Sequence, residues 1–329
     1  MVDINADGFA DILSGCYSQE GYDFMVGSFW VLYGDKDRKF AKPVELKGSD
    51  GKTLMIRNDE NKEELQDIAF ICTRPFAGDV NGDGKLDIVA GNFAGTFYYF
   101  AGEGKGAFHP KSVALTGESG EPLQIHGMHS DPFLVDWDGD GDLDLLSGST
   151  SGEIAWAENK ATKGETGGMP KFGAFATLIN APAGADEGKA GDAPAYSVRI
   201  HVVDFNGDGK LDILAGDAQH SGGEPRQDLS DEDKEKLNAL QEEMSKLSEK
   251  WQAVYEKYQK EFEEAMKKAG KELSDEEQQK LWQELVGDKL EKDEDLKAAQ
   301  KRAEELQSEM EKYVTPRLST GYVWLYAQK

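Results

Sequence analysis

Two hydrophobic periods divide the chain. Over residues 1–227 and again over 318–329, short apolar runs closed by glycine alternate with polar turns, the pattern of β-strands. Four such runs are Ile12 to Gly15, Ile88 to Gly91, Leu145 to Gly148 and Ile213 to Gly216. Each is followed by an aromatic-rich run: Gly27 to Tyr33, Gly95 to Phe100, Gly152 to Ala157 and, after a long interval, Gly321 to Tyr326. Such residues suit strands buried between sheets. A further strand is predicted in the first three cases, near Phe40–Leu46, Phe108–Leu115 and Phe175–Ile179. The segment Val44–Ile56 is paralleled by Val113–Ile125, which marks an internal structural repeat.

Residues 228–317 follow a different period. Leu237, Leu240, Met244, Leu247, Trp251, Val254 and Tyr258 recur at steps of three and four, and Phe262, Ala265 and Ala269 extend the stripe. A second stripe runs through Leu296, Ala299, Ala303, Leu306, Met310 and Tyr313. Ser230 and Ser274 open Ser-x-x-acid capping signatures, Gly270 closes the first helix, Gly287 interrupts the second and Pro316 stops the return. The expectation is an inserted antiparallel helical hairpin, a coiled coil with arms on the order of 50–60 Å at 1.5 Å per residue. Both its ends join strands of one sheet. Tyr255 and Trp282 are the aromatics through which such an arm would dock a partner.

The turns between strands are chemically specific. Each glycine-closed run completes the pattern D-x-[DN]-x-D-G-x-x-D. The four sets are Asp3, Asn5, Asp7 and Asp11; Asp79, Asn81, Asp83 and Asp87; Asp136, Asp138, Asp140 and Asp144; and Asp204, Asn206, Asp208 and Asp212. Oxygen donors at alternate positions, with a glycine to turn the chain, are what a hard cation such as Ca²⁺ requires. An EF-hand opens the same way but needs a bidentate Glu at loop position 12 and leads into a helix. Here position 12 is Ser14, Ala90, Ser147 or Ala215, and a strand follows. The unit is therefore a hairpin whose turn holds Ca²⁺, with side-chain ligands expected at positions 1, 3, 5 and 9 and a backbone carbonyl at position 7. Carboxylates crowded in this way call for a counter-ion.

These loops resemble the FG-GAP/VCBS repeat of β-propellers, found also in the α-subunit head of integrins, over most of residues 1–227 and 318–329. The resemblance implies a mainly β fold, a β-propeller whose calcium ions are chiefly structural. With blade strands lettered A to D and the acidic loop between A and B, the chain reads B-C-D, A-B-C-D, A-B-C-D, A-B-C. That is about 3–4 blades, where propellers have about four to eight. Either the chain belongs to a longer propeller or its ring closes in an unusual way; a partial propeller is the expectation. The helical segment 228–317 is then an insertion between strands B and C of the last blade.

Charge narrows the partners. The chain carries 37 basic and 63 acidic residues, a formal net charge of −26, which argues against nucleic acid and anionic membrane surfaces. No apolar stretch of about eighteen residues is present, so no membrane span is expected. Cys16 and Cys72 are too few for a disulfide scaffold; they lie in adjacent repeats, where pairing is feasible and free thiols are the simpler expectation. No signal peptide is seen and the chain starts inside a repeat, so its N-terminus is open to truncation. Calcium loops of modest affinity suit an extracellular, cell-surface or periplasmic setting.

One cluster has catalytic potential. His126, His129 and Asp131 lie together, with His201 before the fourth acidic loop and His220 after the strand that follows it. Equivalent blade positions converge on a propeller axis, and imidazoles with a carboxylate suit Zn²⁺. The H-x-x-H here lacks the helical H-E-x-x-H context, and no G-x-S-x-G, P-loop or Rossmann pattern occurs. The expected function is a non-catalytic binding or adhesion module for a protein or glycan. The alternative is a polysaccharide lyase or metal-dependent hydrolase with His126, His129, Asp131 and His201 as its site.

Overall fold

The computed structural model describes residues 1–19, 25–57, 67–160, 167–183, 192–269, 280–287, 289 and 293–328. They form two compact units, Met1–His220 with Ser319–Lys329, and Ser221–Leu318. The architecture is mainly β, with several antiparallel sheets and one long helix.

The strands of the first unit collect into sheets in chain order. The first holds β1 (Ile12–Gly15), β2 (Phe29–Leu32) and β3 (Val44–Glu45), in that order. The second is built from β4 (Arg74–Gly78), β5 (Asp87–Gly91), β6 (Phe97–Phe100) and, beyond a small β7–β8 pair (Gly102–Gly104, Ala107–Phe108), β9 (Val113–Ala114). The third runs β10 (Asp131–Val135), β11 (Asp144–Gly148), β12 (Ile154–Ala157) and β13 (Ala176–Ile179). In the fourth, β14 (Tyr196–Val203) pairs β15 (Asp212–Ser221), which also pairs β16 (Leu318–Thr320) and β17 (Val323–Tyr326). The last strands of the first two sheets are only two residues long, shorter than the apolar runs that predict them.

Successive strand residues point to opposite faces, and the middle sheets bury both. From the second sheet, Ile88, Ala90, Tyr98 and Phe100 join Phe29 and Val31 in one core. Val89, Phe97 and Tyr99 point the other way, into a second core with Leu145, Ala155 and Ala157. Leu146 and Ile154 turn to a third, shared with Val198, Ile200, Ile213 and Ala215. This is why Phe97–Phe100 lacks polar alternation: each of its four side chains enters a core. Burying a large apolar side chain stabilises by about 1.5–3 kcal/mol. The fourth sheet is covered on one face only. Trp324 and Tyr326 pack on the third core, whereas Val323 and Leu325 are 76% and 47% exposed. The sheets do not close on themselves among the described residues.

One junction repeats from sheet to sheet. A Cβ on Gly15, Gly91 or Gly148 would run into the backbone carbonyl of Thr73, Ser130 or Val198 in the next sheet. The amides of those three residues donate to the carbonyls of Cys16, Asn92 and Ser149, at 3.0, 3.1 and 2.9 Å. The glycine closing each apolar run is thus a close-approach residue as well as a strand stop. Gly216 ends the fourth such run, and the nearest atom to a Cβ there is the Arg199 carbonyl oxygen at 4.0 Å.

The second unit is dominated by α1 (Asp231–Ala269), 39 residues and so about 60 Å long. Ser230 caps it as predicted: its hydroxyl accepts from the Asp233 amide at 3.1 Å and donates to the Asp233 carboxylate at 2.7 Å. A π-turn over Gln283–Gly287 falls where Gly287 breaks the pattern. Asp293 then caps α2 (Glu294–Met310) through the amides of Asp295 and Leu296. Leu237 and Tyr258 of α1 and Leu296 and Leu306 of α2 are buried, all on the predicted stripes. α2 packs on α1, where Arg302 grips Glu243 with two hydrogen bonds of 2.8 and 3.0 Å. Lys289 reaches Glu261 at 2.7 Å. Trp282 lies edge-on to Phe262, centroids 5.1 Å apart, while Tyr255 is half exposed. The predicted stop at Gly270 and cap at Ser274 lie outside the described residues. No described helix is long and apolar enough to cross a membrane.

Candidate metal centres and the inner-strand cluster

The four acidic loops share one hydrogen-bond scheme. The first aspartate accepts from the loop glycine: Asp3 from Gly8 (2.8 Å), Asp79 from Gly84 (2.9 Å), Asp136 from Gly141 (3.1 Å) and Asp204 from Gly209 (2.9 Å). The side-chain oxygen at position 3 (Asn5, Asn81, Asp138, Asn206) accepts from the amide at position 5, at 3.0, 3.0, 3.1 and 2.8 Å. Position 5 (Asp7, Asp83, Asp140, Asp208) accepts in turn from position 7, at 2.9, 2.9, 3.1 and 2.9 Å. Short polar side chains closing turns onto nearby amides is the normal role of Asp and Asn. Here it gathers oxygens of three residues around each glycine-turned loop.

Position 9 does something different. Asp11, Asp87, Asp144 and Asp212 are all 0% exposed. One oxygen of each accepts from the amide at loop position 2: Ile4 (2.9 Å), Val80, Trp137 and Phe205 (3.0 Å each). The other accepts from the chain just beyond the aromatic strand: Gly34 (2.8 Å), Gly102 (2.7 Å), Asn159 (2.8 Å) and Gln328 (3.0 Å). This carboxylate ties loop and next strand together. Burial pushes the Asp87 and Asp144 carboxyls up, and the donated amides oppose that shift.

The third loop is the most acidic. Ligand oxygens of Asp136, Asp138 and Asp144 lie within 4.8 Å of one another, a group able to hold a metal ion. The other loops have Asn where this one has Asp138. It also places Asp142 where the second and fourth loops have Lys85 and Lys210. The Asp142 carboxyl is pushed up to about 6, first by burial and then by Asp140, Asp144, Asp138 and Asp136. Its Oδ1 is buried without a hydrogen-bond partner among the described residues. An all-oxygen, like-charged donor set with an orphaned oxygen fits a hard divalent cation.

The candidate catalytic residues stand in separate settings. His126 is exposed, its Nδ1 3.1 Å from Glu153. His129 faces Arg74, whose guanidinium donates to the His129 carbonyl (2.9 Å) and lies 3.2 Å from its Nδ1. Asp131 is partly buried and accepts from the Ile200 amide at 3.3 Å. His201 stacks edge-on against Phe133, centroids 5.0 Å apart, and His220 lies beside Tyr196. No group of three metal-ligating side chains including a histidine forms among the described residues. Cys16 and Cys72 are free; the Cys16 thiol sits 3.5 Å from the Ser28 hydroxyl.

An ordered array emerges when these residues are counted back from each loop. Arg74, Asp131 and Arg199 all lie five residues before the first loop aspartate, and Phe76, Phe133 and His201 three before it. The Phe76–Phe133 and Phe133–His201 centroids are 5.3 and 5.0 Å apart, so the first strands of successive sheets touch side by side. Seven residues before the loop stand Cys72, His129 and Ser197, with left-handed φ of 58°, 60° and 58°. The two arginines escape motif reading, because they belong to no acidic loop; loop register is the signal that finds them.

Repeated antiparallel sheets whose hairpin turns are acidic loops, one of them able to hold a metal ion, define a repeat protein. Family comparison agrees: the FG-GAP-like repeat matches residues 79–147 and 136–215, which hold the second, third and fourth loops. These matches support an FG-GAP/VCBS-like repeat character for residues 79–215. No curated protein matches the chain.

Proposed function

We propose that the chain is a calcium-braced β-propeller module, supplying part of a ring, that binds a protein or carbohydrate partner in an extracellular, cell-surface or periplasmic setting. The observation that carries this reading is the identical wiring of four acidic loops. A turn needed only to reverse the chain has no use for three or four crowded carboxyl and amide oxygens, repeated at fixed spacing. Ca²⁺ accepts such an all-oxygen, irregular shell. Asp136, Asp138 and Asp140 would hold it in the third loop, with Asp144 as fourth donor and brace, and equivalent residues would serve the other loops. The ion would supply charge neutralisation and lock the hairpins. Sheets stacked face to face in chain order support the propeller, an architecture built by radial repetition.

Residues 228–317 are proposed as an inserted antiparallel hairpin. Glu243 on early α1 pairs with Arg302, and Glu261 on later α1 pairs with the earlier Lys289, as opposed chain directions require. Tyr255 is the exposed aromatic through which this arm would meet a partner. The enzyme alternative needs His126, His129, Asp131 and His201 at one reacting centre; His126 instead pairs with Glu153 and His201 packs on Phe133, apart from the arginines that His129 and Asp131 share.

Melting the protein in millimolar calcium and in excess chelator tests the reading. Saturating a site at about 100 times its dissociation constant adds about 2.7 kcal/mol, so the melting temperature should fall clearly on chelation. An unchanged melt would overturn it.

A further inference from the structure

His129 and Asp131, candidate ligands only in the enzyme alternative, share a neighbourhood with two arginines, Arg74 and Arg199. We propose that Arg74, His129 and Arg199 form a binding site for an oxyanion, the carboxylate or phosphate group of a ligand. This deepens the binding-module reading and rests on it for its purpose, while standing on residues outside the calcium loops.

Hydrogen-bond chemistry points there first. A guanidinium has donors only, so His129 Nδ1, 3.2 Å from Arg74, must accept. The imidazole proton then sits on Nε2, making it a donor. Burial, then Arg74 and Arg199, hold His129 down to about 4, so it is neutral at pH 7. Both His129 Nε2 and Arg74 Nε are buried without a partner among the described residues, and Arg74 as a whole is only 7% exposed. Two orphaned donors in one cluster lack an acceptor, and a buried donor left unpaired is destabilising.

Charge points the same way. Arg74 and Arg199 both act on Asp131, yet neither forms an ion pair with it among the described residues. Two guanidiniums against one carboxylate leave a local positive excess in a chain of net charge −26. Phe93 lies 4.4 Å from the His129 ring, and the half-exposed Tyr17 stands edge-on to Phe93 at 6.3 Å. Aromatic rings thus flank the His129 side of the cluster. The backbone adds a third sign. Cys72, His129 and Ser197 hold the left-handed conformation, uncommon for residues other than glycine. The repeat keeps this backbone while changing the side chain, and only the second copy presents an imidazole.

The test uses the calcium-loaded full chain, titrated at constant ionic strength with sodium acetate and, separately, with inorganic phosphate. The His129 ring nitrogens are followed by NMR, with a melt recorded on each sample. A saturable shift of Nε2 with either probe is expected, and the more effective probe identifies the preferred anion. Arg199 is exposed, so Arg199→Gln should melt like the parent yet bind about tenfold more weakly, the loss of one charge-assisted contact. His129→Gln should abolish the response, read then from the Arg74 guanidinium signals. No saturable shift in the parent chain, or unchanged binding in Arg199→Gln, overturns the site. A calcium-dependent melt with no anion response would remove this inference and leave the calcium reading standing.

Discussion

Asp87 shows how far one residue's role departs from its place in a motif. Loop spacing marks position 9 as a cation ligand, and the spacing is real. The structure adds that both Asp87 oxygens already accept amides, from Val80 at 3.0 Å and Gly102 at 2.7 Å. The second donor lies fifteen residues downstream, and for Asp212 the equivalent, Gln328, is 116 residues away. No local pattern reveals a partner across the intervening strand, still less across an inserted helical segment. The two roles separate by mutation. Asp87→Asn would turn an amide NH₂ towards a donating N–H, leaving a buried donor unpaired at a cost of about 1–3 kcal/mol. Urea unfolding should register that loss in chelator as well as in calcium. Asp83→Asn, at an outer loop position, should lower stability in calcium and leave the chelated protein nearly unchanged. Equal losses for the two variants in chelator would contradict the division.

At the scale of elements, strand placement was largely legible, because alternating apolar runs closed by glycine are strong local signals. The first helix start, at Ser230, and the break at Gly287 were legible from capping and glycine signals. The last strands were less so: the run near Phe40–Leu46 forms a ladder only at Val44–Glu45, with a single bridge at Phe40, because pairing there is set by the neighbouring strand rather than by local hydrophobicity. The first strands of the second, third and fourth sheets hid the most. Arg74, Asp131 and Arg199 interrupt apolar runs and look like noise until aligned on the loops, when they become one tier of a repeated array. Glycines ending the apolar strands give the sharpest element-level prediction. Gly91→Ala would force a methyl against the Ser130 carbonyl and should cost about 1–3 kcal/mol or more. Gly216→Ala meets no such neighbour and should stay within about 0.5 kcal/mol of the parent. Chemical denaturation of the two single variants checks this, and equal effects would mean that the sheet junction does not depend on close approach.

For the molecule as a whole, three cores join four sheets in sequence, each middle sheet giving alternate side chains to the core before and the core after. Repeat reading reached this arrangement because every unit carries the same loop and the same strand pattern. It did not reach which face of the fourth sheet stays open, since Val323 and Leu325 look as apolar as the buried Phe97 and Tyr99. Nor could acidity alone distinguish a solvated surface from a set of cation sites: a net charge of −26 is compatible with both. If the loops are ion sites that brace this stack, each should take up its own cation. Counting calcium is therefore the most direct test. The chelated chain, returned to calcium and analysed by native mass spectrometry alongside calorimetric titration, should take up about one ion per acidic loop, four in all, with a matching rise in melting temperature. A chain that remains calcium-free at millimolar calcium, and melts no differently, would contradict it.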